Sequence, residues 1–212
     1  MGTKIIACAS QKGGSGKSTI TIHLATSAAA EGMSVLIADL DPHSQTAIEW
    51  GKIRETNNPL VVRATKADLD PLLEQARKKK FDLIFLDLPP YVNEIVENAT
   101  RMATLTLVPT HATFPDVKTL GKVVSRIHPP FFIVLNDCEP GIRPFENRRT
   151  KEIRTLLKHQ NWSAAPVSLT HRVSFYDAMT SGQSVGEYEP RSPAAREAGK
   201  LWKWLKGELN NG

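Results

Sequence analysis

Six apolar runs punctuate the 212-residue chain, KIIACAS, SVLIADL, LVVRAT, FDLIFLDL, ATLTLVPT and FFIVLN, with a weaker seventh, APVSL. Each has the length and composition of a strand. In FDLIFLDL, four apolar residues in a row, Leu83 to Leu86, predict burial on both faces of a sheet. Between the runs, apolar positions at helical spacing predict helices over Ser18 to Glu31, Asp68 to Lys80, Val92 to Ala99, Phe114 to Ile127, Asn147 to His159 and Ala194 to Leu209. Pro71 suits the first turn of its helix and Gly32 the stop of the first one. Strands separated by helix-length segments imply an α/β fold, a mostly parallel twisted sheet with helices on both faces. No repeat or linker divides the chain, so residues 1–212 read as a single domain. NDCEPGIRPFENRR, Asn136 to Arg149, is its most loop-like part.

Composition sharpens that outline. With 41% apolar residues the chain can bury a sizeable core. No apolar run approaches the roughly 20 residues of a membrane span, and the N-terminus runs straight into a strand without a leader pattern, so a cytoplasmic protein is expected. Cys8 and Cys138 sit in or beside apolar runs and read as buried free thiols. The formal charge of +5 is unevenly placed: residues 1–142 hold 15 Lys+Arg and 15 Asp+Glu, whereas residues 143–212 hold 12 and 7. All the excess lies in the last third, which suits either a surface facing a polyanion or a solvated helix face.

The chemistry begins at SQKGGSGKST. A strand, this glycine-rich stretch and the helical ITIHLATSAAAE form the context that defines a phosphate-binding loop. Gly13, Gly14, Ser15 and Gly16 let backbone N–H groups turn inward around phosphates, and the helix that opens at Lys17, Ser18 and Thr19 adds its positive dipole end. Lys17 would reach the terminal phosphates and Ser18 a magnesium ion. SVLIADLDP then brings Asp39 and Asp41, and FDLIFLDLPP brings Asp87, to the carboxyl ends of strands, the edge at which open α/β sheets bind ligands. Asp87 fits a Walker-B acid that holds magnesium. Asp39 could support the loop backbone or join the chemistry. Asn136, at the end of FFIVLN, has the donor and acceptor that a base edge needs.

The usual loop pattern would put glycine at position 11, where this chain has Gln11, and Lys12 makes the stretch KGGSGKS. This resembles the deviant phosphate loop of the ParA/MinD family of ATPases, and the likeness to ParA partition ATPases extends over most of the chain. The resemblance implies ATP and Mg2+ as cofactors and a homodimer formed with ATP, in which Lys12 reaches the nucleotide held by the other subunit. It implies that Asp41, in an element similar to the family's DxDPQ, positions the attacking water near magnesium. It also implies that Asn136 meets the adenine. The family's glutamine is replaced here by His43, which reads as a surface residue.

Several branches share this loop. Iron proteins of the family need cluster-binding cysteines with no counterpart here, and nothing in the sequence calls for the small-molecule pocket of the biotin-pathway and cobalamin-pathway synthetases. A MinD-like ATPase acting at a membrane surface would need an amphipathic C-terminal helix. AGKLWKWLKGELNNG offers Ala198, Leu201, Trp202, Leu205 and Leu209 on one arc, with Trp204 and Glu208 at its edge, which suits packing on the sheet better than insertion into lipid. HRVSFYDAMTSGQSVGEYEP and the helix after it resemble the region of ParA proteins that binds DNA without regard to sequence. This places Arg172, Arg191, Arg196 and Lys200 on a DNA-facing surface. The expectation is a small partition or positioning ATPase, without the N-terminal helix-turn-helix domain of larger members. It would associate with the nucleoid, act with a ParB-like adaptor and move a plasmid, chromosome or organelle.

Overall fold

The computed structural model describes residues 2–91, 93–142 and 146–211. Val92, expected to open a helix, and residues 143–145 of the loop-like stretch lie outside the described residues. The strands are β1 (Lys4–Cys8), β2 (Val35–Asp39), β3 (Leu60–Arg63), β4 (Leu83–Asp87), β5 (Leu105–His111) and β6 (Phe131–Asn136). The helices are α1 (Lys17–Ala30), α2 (Thr46–Ile53), α3 (Leu69–Lys78), α4 (Glu94–Met102), α5 (Phe114–Val124), α6 (Arg148–His159), α7 (Val173–Thr180), α8 (Val185–Tyr188) and α9 (Pro193–Asn211).

The six strands form one sheet in the order β3-β2-β4-β1-β5-β6, every neighbouring pair parallel. Parallel strands need crossovers that carry helices back over the sheet, so both faces are covered. One face packs α1, α2 and α7 to α9 over residues such as Ile6, Ile37 and Phe85; the other packs α3 to α6 over Ile5, Ile84 and Ile133. β2 and β4 are buried at every position, as their unbroken apolar runs require.

APVSL is not a seventh strand. Its surroundings run beside β6 but make only single bridges, Ile133 to Ala164 and Cys138 to Thr170. Pro166 has no N–H to give, which fits a ladder that never extends. Three short helices, α2, α7 and α8, were not predicted by the hydrophobic pattern. The C-terminal stripe is settled in favour of packing: Ala198, Leu201, Trp202, Leu205 and Leu209 are buried in the same cluster as α1. No helix among the described residues is long and apolar enough to cross a membrane.

Leu205→Ala should therefore destabilise the protein by about 2–5 kcal/mol in denaturant unfolding, the range for a buried leucine. Lys203→Ala, on the exposed side of α9, should stay within about 0.5 kcal/mol of the parent. Equal, small effects for both would contradict a packed α9.

Candidate nucleotide-binding site

The loop between β1 and α1 has a conformation only glycine enters freely. Gly16 caps α1 with φ of 96°, and no side chain caps the helix. The first N–H groups of α1 are thus left for an anion. Behind the loop, Asn136 Nδ2 donates to the Ser15 carbonyl at 3.0 Å, and a Cβ on Gly16 would run into that same amide. Asn136 thus braces the loop with one N–H of its amide while it also lines the cavity beside it, with its second N–H and its oxygen left for a base.

Parallel register sets the carboxylates. Cys8 pairs with Asp87 across β1 and β4, and Asp39 pairs with Asp87 across β2 and β4, so the three end their strands level with one another beneath the loop. Asp87 is buried and neither oxygen meets hydrogen-bond geometry, although the Ser18 hydroxyl lies close enough to favour its charge. Burial pushes its carboxyl up to about 7, with the charges of Asp39 and Asp41 adding to the effect and Ser18 and Lys17 opposing it. Lys17, the first residue of α1, is also buried; desolvation lowers its ammonium while Asp87 and Asp41 pull it back. Ser15 Oγ is a further buried oxygen without a partner.

The other two acids are spent on the following loop. Asp39 Oδ1 accepts from the backbone N–H of Asp41 at 3.0 Å and Oδ2 from that of Ile48 at 3.2 Å, tying the start of α2 to the sheet. Its carboxyl is raised by burial and partly restored by these bonds. Asp41 Oδ1 accepts from the backbone of His43 at 2.9 Å and of Ser44 at 3.2 Å, and Oδ2 from Ser44 Oγ at 2.8 Å. Burial opposes its charge, but those bonds and Lys17 outweigh it and hold Asp41 below the ordinary carboxylate range. His43 is exposed and contributes its backbone.

This donor set fits Mg2+. The described residues hold no cluster of three His, Cys, Asp or Glu that could cage a metal. Two orphaned oxygens on Asp87 beside Ser18 instead suit a cation that brings water and phosphate oxygens with it, as magnesium does. A cavity of about 750 Å³ continues from Gly14, Gly16 and Thr19 past Asn136 to Trp50 and Tyr176, roomy enough for a nucleotide.

Lys12 stands apart from Lys17. It is half exposed, and its Nζ lies 2.6 Å from Oδ1 of Asp116, in the first turn of α5. Asp116 also receives Thr113 Oγ1 at 2.8 Å, while its own N–H bonds back to Thr113, the N-cap of α5. A Thr-x-x-Asp capping pair ahead of an apolar helix was the available sequence signal for this arrangement.

The expected DNA-facing residues divide. Arg191, Arg196 and Lys200 are exposed around the start of α9. Arg172 is not a free surface cation: it is largely enclosed, and its Nη2 donates to Glu197 Oε1 at 2.8 Å. Glu197 also accepts from the backbone and hydroxyl of Thr170.

The raised Asp87 gives a signed expectation. Between the unfolded carboxylate value near 4 and about 7, the folded apoprotein binds the extra proton, so stability contributed by protonated Asp87 is present at low pH and lost as pH rises through 7. Asp87→Asn removes the charge and should raise the apoprotein Tm at pH 8 more than at pH 5, by roughly 2–4 °C per kcal/mol recovered. It should also abolish the magnesium dependence of nucleotide binding. A Tm at pH 8 below that of the parent would refute the burial argument.

Residues 6–185 match the model of the CobQ/CobB/MinD/ParA nucleotide binding domain. The chromosome-partitioning ATPase Soj of Thermus thermophilus is 25% identical, with 92% of each chain covered. Apo McdA of Cyanothece superposes with a TM-score of 0.77 at 15% identity, covering 98% of this chain and 99% of that one. MinD of Pyrococcus horikoshii, solved with Mg-ADP, gives 0.74 at 18% identity, with 96% of each covered. A glycine loop on a bare helix N-terminus, level carboxylates at the strand ends and a match over most of the length all agree: this chain belongs to the CobQ/CobB/MinD/ParA nucleotide-binding family.

Proposed function

We propose that this protein is a ParA-type ATPase, a single domain that dimerises with ATP, binds DNA without regard to sequence, and positions a cargo with a ParB-like adaptor. The observation that carries this reading is the second loop lysine: Lys12 is half exposed and held by one carboxylate, at the same sheet edge as Lys17, Asp41 and Asp87. A lysine needed only by its own subunit's phosphates would be enclosed as Lys17 is. The likeness to Soj supports a partitioning role.

In this reading the N–H groups of Gly13 to Thr19 and Lys17 bind the phosphates of ATP. Ser18 and Asp87 would hold Mg2+, with Asp41 nearby; that ion would neutralise charge that develops on the phosphates. Asp41, kept ionised by its loop, orients the attacking water. Lys12 leaves Asp116 and supplies charge to the phosphoryl group of the partner's nucleotide, in the manner of a finger delivered in trans. Exposed Ile53, Val173 and Tyr176 line the cavity and Phe114 opens α5, giving the edge the apolar rim that a second copy would cover. Arg191, Arg196 and Lys200 contribute the DNA surface, and two copies in a dimer supply avidity. A cytoplasmic, nucleoid-associated location follows from that surface, and the burial of the α9 stripe argues against membrane insertion.

Lys12→Ala should bind ATP about as tightly as the parent yet lose adaptor-stimulated hydrolysis, because Lys12 reaches the partner's phosphates and not those of its own subunit, with its largest effect in the transition state. Asp41→Ala should slow turnover roughly 100-fold to 10,000-fold and accumulate as an ATP-bound dimer in size-exclusion chromatography. Full stimulated turnover in Lys12→Ala would sink the trans-lysine mechanism.

For DNA, Arg196→Glu with Lys200→Glu should abolish retention on random duplex while ATP-dependent dimerisation persists. The parent's log affinity should fall with log salt by about 0.9 for each phosphate neutralised. Arg172→Glu is the poorer probe, since it would set two carboxylates together at Glu197. Retention on anionic liposomes with none on DNA at low salt would favour a membrane-acting ATPase instead.

A further inference from the structure

The phosphate loop is also gripped from its outer side. His111, the last residue of β5, places Nε2 3.1 Å from the carbonyl oxygen of Gly14. Its Nδ1 lies 3.3 Å from Oδ2 of Asp116, the carboxylate whose Oδ1 holds Lys12 at 2.6 Å. Both ring nitrogens thus face oxygens that only accept. A neutral imidazole carries one N–H, so it can serve the Gly14 carbonyl or turn a proton toward Asp116 but not both; the imidazolium donates to Gly14 and sets a positive charge beside Asp116.

Among the described residues, the charged groups that line a cavity of about 140 Å³ with His111 are Asp137 and Glu139, which follow β6, and Arg149 on α6. Asp137 is paired with His171 and Glu139 with Arg149. Asp116 is therefore the carboxylate in contact with the ring, and Lys12 is the cation that shares it.

We propose that His111 is a proton-dependent positioning residue: charged, it pins the Gly14 carbonyl and competes with Lys12 for Asp116; neutral, it gives up one contact and leaves Lys12 to Asp116 alone. The ring is the one side chain here that joins the loop backbone to the place where Lys12 is held. In the charged state the loop is set for phosphate and Lys12 is more easily released. The second half of this rests on the trans role of Lys12; the first half does not.

The test uses the full chain and two readouts between pH 5.5 and 8.5. Mg-ADP affinity by calorimetry reads the loop. In His111→Gln the amide keeps a donor for Gly14 but does not titrate, and the nucleotide's own protonation is common to both proteins. Relative to that variant, the parent should bind Mg-ADP about fivefold tighter at the acid end than at the alkaline end, the difference between a charged and a neutral donor to one acceptor. His111→Ala should be weaker than both at acid pH. Superimposable profiles for parent and His111→Gln would overturn the proposal.

Dimerisation with Mg2+ and a non-hydrolysable ATP analogue, followed by sedimentation, reads Lys12. The parent should dimerise more readily at pH 6 than at pH 8, while His111→Gln and Lys12→Ala should each be flat. A parent profile no steeper than that of His111→Gln would overturn the competition for Asp116 even if the Mg-ADP difference held. Failure of the trans-lysine mechanism is read separately, as full stimulated turnover in Lys12→Ala with the Mg-ADP difference intact.

Discussion

Asp87 is the constraint around which the site is arranged. A carboxylate at the end of a strand buried on both faces, with neither oxygen hydrogen-bonded, is costly in water-free surroundings. The protein tolerates it by placing Lys17 nearby and by letting its proton affinity rise to about 7. Both responses leave an electrostatic deficit that a hydrated cation with phosphate would fill. The glycine loop, the uncapped start of α1 and the unpartnered Ser15 hydroxyl surround the same point with groups that a nucleotide would satisfy. Stability withheld from the apoprotein here becomes available as binding energy.

The walls of the site depend on a second buried charge, this one ion-paired through both terminal nitrogens while its Nε finds no partner. Arg54, just past α2, is almost enclosed; its guanidinium lies over Trp50, meets both oxygens of Glu187 and donates to the carbonyls of Gly182 and Asn58. Gly182, in a left-handed turn at φ of 67°, comes so close to the backbone at Arg54 that a side chain would collide with it. Trp50 adds a bond to the Gln183 carbonyl. α2 is thus fastened to the α7–α8 turn at one end, while at the other Asp39 holds its first amides. The Asp41 loop, between β2 and α2, is suspended between two fixed ends.

What the sequence could show divides along physical lines. Strands buried on both faces write themselves as continuous apolar runs, and a phosphate loop needs glycines at fixed spacing, so the sheet, the loop and Asp87 were legible. α2 and α7 have eight residues each and α8 four, too short for a periodic pattern, and α2 starts from Gln45 in a left-handed conformation that no residue type announces. Partnerships across the fold were invisible for another reason. Asn136 lies 121 residues from Ser15, and Lys12 lies 104 residues from Asp116, so only the folded chain reveals that Asn136 braces the loop and that Lys12 is held by a carboxylate. The resemblance located a cationic surface near α9, but Arg172 is drawn inward by Glu197, the residue after exposed Arg196.

The two loop lysines differ in what it takes to move them. Lys17 is buried near Asp87 and Asp41, so drawing it out would leave both carboxylates without the cation that offsets them in the interior. Lys12 and Asp116 form a pair with the lysine half in water, and such pairs contribute about 0–1 kcal/mol. Thr113 and the helix N-terminus continue to satisfy Asp116 after the lysine leaves, so release strands no charge in the interior. Phosphate on a partner's nucleotide would outcompete such a contact easily. One loop can therefore bind phosphate firmly through Lys17 and keep Lys12 available at almost no cost, a separation that turns on burial alone.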